Sequence, residues 1–329
     1  MSQKSYTPIL EIYKVRISHR KRKTIKSFQN VFEEKFSQEN SEFKDFIKEF
    51  VQHFEKKDEY VINNFEQKGF TIATEDENHK IRFDNKNHII HGVISGGKYG
   101  KKRKKGTLGD ISKSEVINYN DLILDDFYFL FYAPYGKSTG ILLIQKYTTE
   151  NITNLFKEHI SKFFHIKDGQ YNKVQFDIFI PKEIESEFKK NSVINKVVYT
   201  TNMPSQEYVK SSYGSLSVKV IIESKSGIPK EEKDTFLDKL GLSMFNNTEL
   251  KEFKTTTGYL LNPYTKKSVA FKLQDDFKLK PIIDLESEGI ELDEFGVPNF
   301  ALLHKYCLNL LEGLKKDNSI YPNHEVKEL

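Results

Sequence analysis

An α+β fold, rich in strands and divided over two domains, is predicted by three observations. Short stretches alternate apolar and polar residues, a few segments carry strongly amphipathic helical stripes, and the chain of 329 residues exceeds the size at which one core stops growing, roughly 250 to 300 residues. The 26 Phe and 17 Tyr supply aromatic-rich cores. The expected organisation is a mixed, β-rich amino-terminal domain with packed helices over residues 1–166, and a second α/β domain over 171–329 that ends in a helix.

In the first domain, Ile9, Tyr13, Val15 and Ile17 share one parity around Glu11, with Lys14, Arg16 and Ser18 on the other, so residues 9–18 read as a strand. Residues 24–38 form a weak helix. Phe43, Phe46, Ile47, Phe50, Val51 and Phe54 follow i, i+3, i+4, i+7 spacing and make 40–57 the clearest amphipathic helix. Short β-like runs fill 60–97, separated by Gly69, 76–78 and 84–87. Residues 127–133 and 140–147 are apolar strands joined by a turn at 134–139. The helix of 151–165 has Thr148 and Thr149 before it as caps.

Residues 171–261 read as strand, helix, strand, strand, helix, strand, the order of a split βαβ, ferredoxin-like unit. Both helices, 181–191 and 229–242, open with Pro, whose missing N–H is tolerated in a first turn. A helix over 298–316 closes the chain.

Charge is segregated. The net charge is only +4, yet 13 of the 51 Lys and Arg lie in two stretches without an acid. Lys14 to Lys26 holds seven and Gly96 to Gly106 holds six, leaving 38 basic against 47 acidic residues elsewhere. Such clustering points to a polyanion partner. With Gly at 96, 97, 100, 106 and 109, the second stretch reads as a mobile basic loop over 96–109. The candidate phosphate-contacting residues are Arg16, Arg20, Lys21, Arg22, Lys23, Lys98, Lys101, Lys102, Arg103, Lys104 and Lys105, with Tyr99 placed to stack on a base or sugar. The two stretches are expected to converge in one groove and to bind nucleic acid, DNA before RNA, largely without regard to sequence.

Other motifs point away from catalysis. Gly92 to Tyr99 has phosphate-loop spacing, but Tyr99 stands where a magnesium-binding hydroxyl belongs. Gly136 to Thr139 has the right ending and lacks the first Gly. No catalytic residue, metal site or cofactor is assigned. The alternative is a nuclease cutting with Asp125, Asp126 and Gln145, or with His88 and His91, although Ile144 occupies the position of the second metal-binding carboxylate and strand spacing puts the two histidines on opposite faces. A further alternative is an interaction protein whose basic loop meets an acidic partner. One cysteine, Cys307, excludes an internal disulfide and is expected to be buried in a helix. No secretion signal and no apolar run of membrane-spanning length is present, so the expected location is the cytoplasm.

Phe129-Leu130-Phe131, Gly140-Ile141-Leu142-Leu143, Thr148-Thr149 and Ile152-Thr153-Asn154-Leu155-Phe156 follow one another as a Phe-Leu-Phe strand, a Gly-led strand and a helix opened by Thr-Thr. In this order, and in Ile282 to Leu285, Gly289 and Tyr306-Cys307 near the carboxy terminus, about half the chain resembles the phage-exclusion proteins of the lambda Rex type. The basic loop has no counterpart there. The resemblance implies a cytoplasmic, DNA-binding homodimer that helps block phage growth without an enzymatic centre, alongside a partner protein of a defence operon. It assigns no functional residue.

Overall fold

The computed structural model describes residues 6–19, 24–54, 59–72, 80–107, 110–165, 172–179, 193–203, 216–228, 255–261, 268–272, 278–279, 283–286, 288–317 and 320. The strands are β1 (Pro8–His19), β2 (Ile25–Lys26), β3 (Val61–Asn63), β4 (Lys68–Ile72), β5 (Arg82–Asp84), β6 (Ile89–Lys98), β7 (Arg103–Thr107), β8 (Asp110–Ile117), β9 (Ile123–Tyr132), β10 (Thr139–Tyr147), β11 (Asn172–Ile178), β12 (Val193–Met203), β13 (Leu216–Ile228), β14 (Thr255–Leu261), β15 (Ser268–Lys272), β16 (Lys278–Leu279) and β17 (Ile283–Asp284). Four helices are described: α1 (Phe28–Phe36), α2 (Phe43–Phe54), α3 (Thr153–Phe163) and α4 (Phe300–Lys315). The protein is α+β and dominated by strands.

Two compact units partition the chain, Met1–Phe179 with Ile283–Leu329, and Ile180–Ile282. In the first, an antiparallel sheet runs β11-β1-β10-β9-β6-β4-β3, with β2 and β17 on β1 and β5 on β6. Side chains alternate across it. Phe127, Phe129 and Phe131 of β9 enter a core with Phe28 and Phe32 of α1, Phe46, Phe50 and Phe54 of α2, and Phe156 and Phe163 of α3. Tyr128 and Tyr132 turn to the other face, where α4 lies: the Tyr128 hydroxyl meets His304 Nδ1 at 2.7 Å and Lys315 Nζ sits 4.8 Å from the Tyr132 ring centre. Residues 127–132 of β9 and 141–144 of β10 are therefore an unbroken run of apolar and aromatic residues because both of their faces are covered.

Local signals explain the helix starts. Ser27 Oγ accepts from the N–H of Asn30, and Asn299 Oδ1 accepts from the N–H groups of Ala301 and Leu302. Neither Thr148 nor Thr149 caps α3, whose first turn follows Ile152 without a side-chain cap. Thr148 Oγ1 instead accepts from the N–H of Thr7, 3.3 Å away.

The expected two-domain boundary is corrected at the carboxy-terminal end. β17 pairs with Ile9 and Leu10 of β1, and α4 packs on β9, so the closing helix belongs with the first unit. β11 likewise joins β1, pairing Tyr13–His19 with Ile178–Asn172. The second unit contains a five-stranded antiparallel sheet ordered β13-β12-β14-β15-β16. A split βαβ order needs the strand at 172–178 in this sheet, and that strand has gone to β1. The helices expected at 181–191 and 229–242 lie outside the described residues. Among the described residues no helix is long and apolar enough to cross a membrane.

Candidate nucleic-acid interface

Only residues 99–102 of the second basic stretch form a loop, and the rest is strand. Gly96, Gly97 and Lys98 finish β6, and Arg103–Thr107 pairs antiparallel with β8 as a two-stranded ribbon. Arg103 faces Ile117, Lys104 faces Val116, Lys105 faces Glu115 and Gly106 faces Ser114. The glycines at 96 and 97 serve strand packing: a Cβ on Gly97 would stand 1.6 Å from the Ile123 carbonyl oxygen, and one on Gly96 would stand 2.7 Å from Phe70 Cβ. This stretch of β6 therefore cannot be a phosphate loop.

Lys101 to Lys105 are exposed. Among the described residues Lys101, Lys102, Arg103 and Lys104 have no carboxylate partner, while Lys105 lies 3.7 Å from Glu115 with both side chains largely in solvent, a pair of little strength. Lys98 differs, bonding Glu150 at 2.9 Å. Tyr99 is also engaged, its hydroxyl donating to Asn64 Oδ1 at 2.7 Å and its N–H to the Gln67 carbonyl.

The amino-terminal stretch presents no comparable surface within its described part. Lys14 Nζ donates to the Ile320 carbonyl at 3.2 Å, Arg16 pairs with Asp177 at 2.5 Å, and Lys26 pairs with Glu34. Arg20, Lys21, Arg22 and Lys23 lie outside the described residues. The strand registers also separate the stretches. Arg16 is level with Thr139, beyond the Tyr132 end of β9, whereas Lys98 pairs with Ile123 at the other end. At ~3.3 Å per residue the ends of β9 are roughly 30 Å apart. The described parts of the two stretches thus sit at opposite ends of the sheet, and the expected single groove is replaced by one basic ribbon and one largely neutralised strand.

The residues of the nuclease alternative have separate structural partners. Asp126 accepts from Ser95 Oγ. Asp125 is bonded to Tyr6, and its carboxyl is raised by burial and by the neighbouring Glu150 and Asp126 charges. Gln145 is fully buried, and its Oε1 accepts from the N–H of Tyr128 at 3.1 Å. No group of three His, Cys, Asp or Glu among the described residues is disposed to hold a metal. His88 packs edge-on against Phe43 of α2, while His91 stacks on His304 of α4 at 3.9 Å, so the two rings serve opposite faces of the sheet. Burial lowers the pKa of both, that of His91 to about 3. Cys307 is buried in α4, with its thiol pushed up by that burial.

Comparison with protein-family models and with curated proteins finds no match. The chemistry of the ribbon therefore has to be read from its own residues. Sequence reasoning missed what stands at its foot: Phe65, 97% exposed, and Tyr119, 56% exposed. The available signal was the run Asn63-Asn64-Phe65, which reads as the end of a strand but forms a turn because Asn63 Oδ1 accepts from the N–H groups of both Phe65 and Glu66.

Proposed function

We propose that the protein binds nucleic acid, DNA in preference to RNA and largely without regard to sequence, through the basic ribbon of β7 and its approach. The observation that carries this reading is the set of four exposed cations at 101–104 that have no carboxylate partner among the described residues, in a chain that is acidic on balance outside its two basic stretches. Cations without internal partners release phosphate counterions on binding, and that release dominates sequence-independent affinity. A two-stranded ribbon is also a shape that nucleic-acid grooves accept. The amino-terminal stretch adds four more basic residues in sequence, Arg20 to Lys23. The resemblance to Rex-type exclusion proteins supports a cytoplasmic, dimeric, non-enzymatic role in anti-phage defence.

The test is the salt dependence of binding to an unrelated DNA duplex. Replacing Lys101, Lys102, Arg103 and Lys104 with Ala should weaken binding equally for different sequences and reduce the log–log salt slope by about 3 to 4, at about 0.9 per lost contact. An unchanged slope would remove the ribbon from the interface. Binding to heparin that nucleic acid fails to compete would transfer the ribbon to an acidic protein partner.

A further inference from the structure

At the foot of the ribbon, two large aromatic rings stand in solvent on a rigid mount. Phe65 lies in the turn Asn64–Gln67 between β3 and β4, fixed by the two bonds to Asn63 and by a left-handed Gln67. Tyr99 and Tyr119, which flank the ribbon on its two strands, are both tied to this turn. Tyr99 bonds Asn64 and Gln67. Gln67 Nε2 donates to the Tyr119 hydroxyl at 3.3 Å, and the Gly100 N–H donates to the Tyr119 carbonyl at 2.8 Å. Gly100 takes a φ of 87°, a conformation open to glycine, to make that approach. Lys101 follows within about 7 Å of Tyr99 along the chain, so the first cations without a carboxylate partner among the described residues begin beside the rings. Glu66, the acid next to Phe65, is paired with Lys68 at 3.1 Å.

From this juxtaposition we infer that Phe65, with Tyr119, is a base-stacking platform, and that the preferred ligand of the ribbon is single-stranded nucleic acid. The inference rests on the nucleic-acid reading above. An exposed phenyl ring at this position contributes almost nothing to the core, and its turn is already ordered, so stacking a base on it costs little further entropy. The faces of bases are available only when the strand is unpaired, and an aromatic ring beside a cationic track is the combination that holds such strands without reading sequence. A protein-docking patch would instead be depleted of charge around its rings. The cations hold phosphates while the rings hold bases, so the two contributions separate experimentally.

The chain has no Trp, which makes Phe65→Trp a reporter. A deoxythymidine oligomer, followed by anisotropy of a label on the DNA, should bind full-length protein more tightly than a duplex of the same length, and the indole of the variant should be quenched as it binds. Phe65→Ala should weaken oligomer binding roughly 5- to 150-fold, the range for losing one stacked base, with the salt slope unchanged. Oligomer binding with no quenching and no loss in Phe65→Ala would overturn the platform and leave the ribbon reading intact. Equal quenching by a more tightly held duplex would overturn the single-strand preference. No binding of either DNA would sink the ribbon reading and this inference with it.

Discussion

Acidification to about pH 5 should loosen α4 from the sheet through His91. Its ring stacks on His304, which in turn bonds the Tyr128 hydroxyl. Burial is the main cause that lowers the His91 pKa to about 3, followed by His304 and Arg82, with Asp84 opposing; burial and Arg82 lower His304 as well. In the unfolded chain an imidazole titrates near 6.5. As pH falls below that value, the undocked state takes up a proton that the docked state refuses. Stability is therefore complete above about pH 6.5 and declines down to about pH 3. Each pH unit in this window is worth about 1.4 kcal/mol, so His91 alone withdraws about 2 kcal/mol by about pH 5. Amide hydrogen exchange in α4, corrected for intrinsic rates, should quicken about 30-fold at Leu303, Cys307 and Leu311, which are buried in the helix. His91→Phe keeps a ring against His304 and removes the titrating group, so most of the acid effect should vanish. Identical acceleration in wild type and variant would refute the assignment.

Two further substitutions probe the sheet. Glu11 accepts from Lys146 at 2.6 Å and from the Tyr13 hydroxyl at 2.8 Å, with only 12% of its side chain exposed. Glu11→Ala leaves the ammonium group uncompensated and should cost about 3 kcal/mol in chemical denaturation, whereas a loss below about 1 kcal/mol would mean that solvent reaches Lys146. Gly97→Ala drives a methyl group into the Ile123 carbonyl where β6 meets β9. It should cost about 3 kcal/mol or more, and an unchanged urea midpoint would show that the strands part there without penalty.

Elements that bury an apolar face were legible in the sequence. The stripe from Phe43 to Phe54 gave α2, the alternation around Glu11 gave β1, and the apolar runs on either side of 134–139 gave the β9–β10 hairpin. Elements held by backbone pairing without a buried face were not. β7 reads Arg-Lys-Lys-Gly-Thr, which has no apolar alternation to mark it, and its order comes from pairing with β8. Long-range returns were also hidden. Nothing in Asn172–Ile178 or Ile283–Asp284 says that both will choose β1, because that choice depends on an edge formed by residues far away in sequence. At the candidate site the cations were evident from composition, while their availability was not. Arg16 and Lys98 have carboxylate partners that only the fold supplies, and Phe65 became conspicuous only once its turn turned it outward.

β11 and β17 occupy one edge of β1 end to end, and the whole second unit is strung between them. During synthesis β1, made before the other strands of its sheet, must therefore wait, with part of that edge unclaimed, until a segment made long afterwards leaves the ribosome. A chain interrupted anywhere inside the intervening unit would keep both Ile9 and Leu10 short of their neighbours and Tyr128 without its helix, leaving uncovered the surfaces that a finished copy conceals.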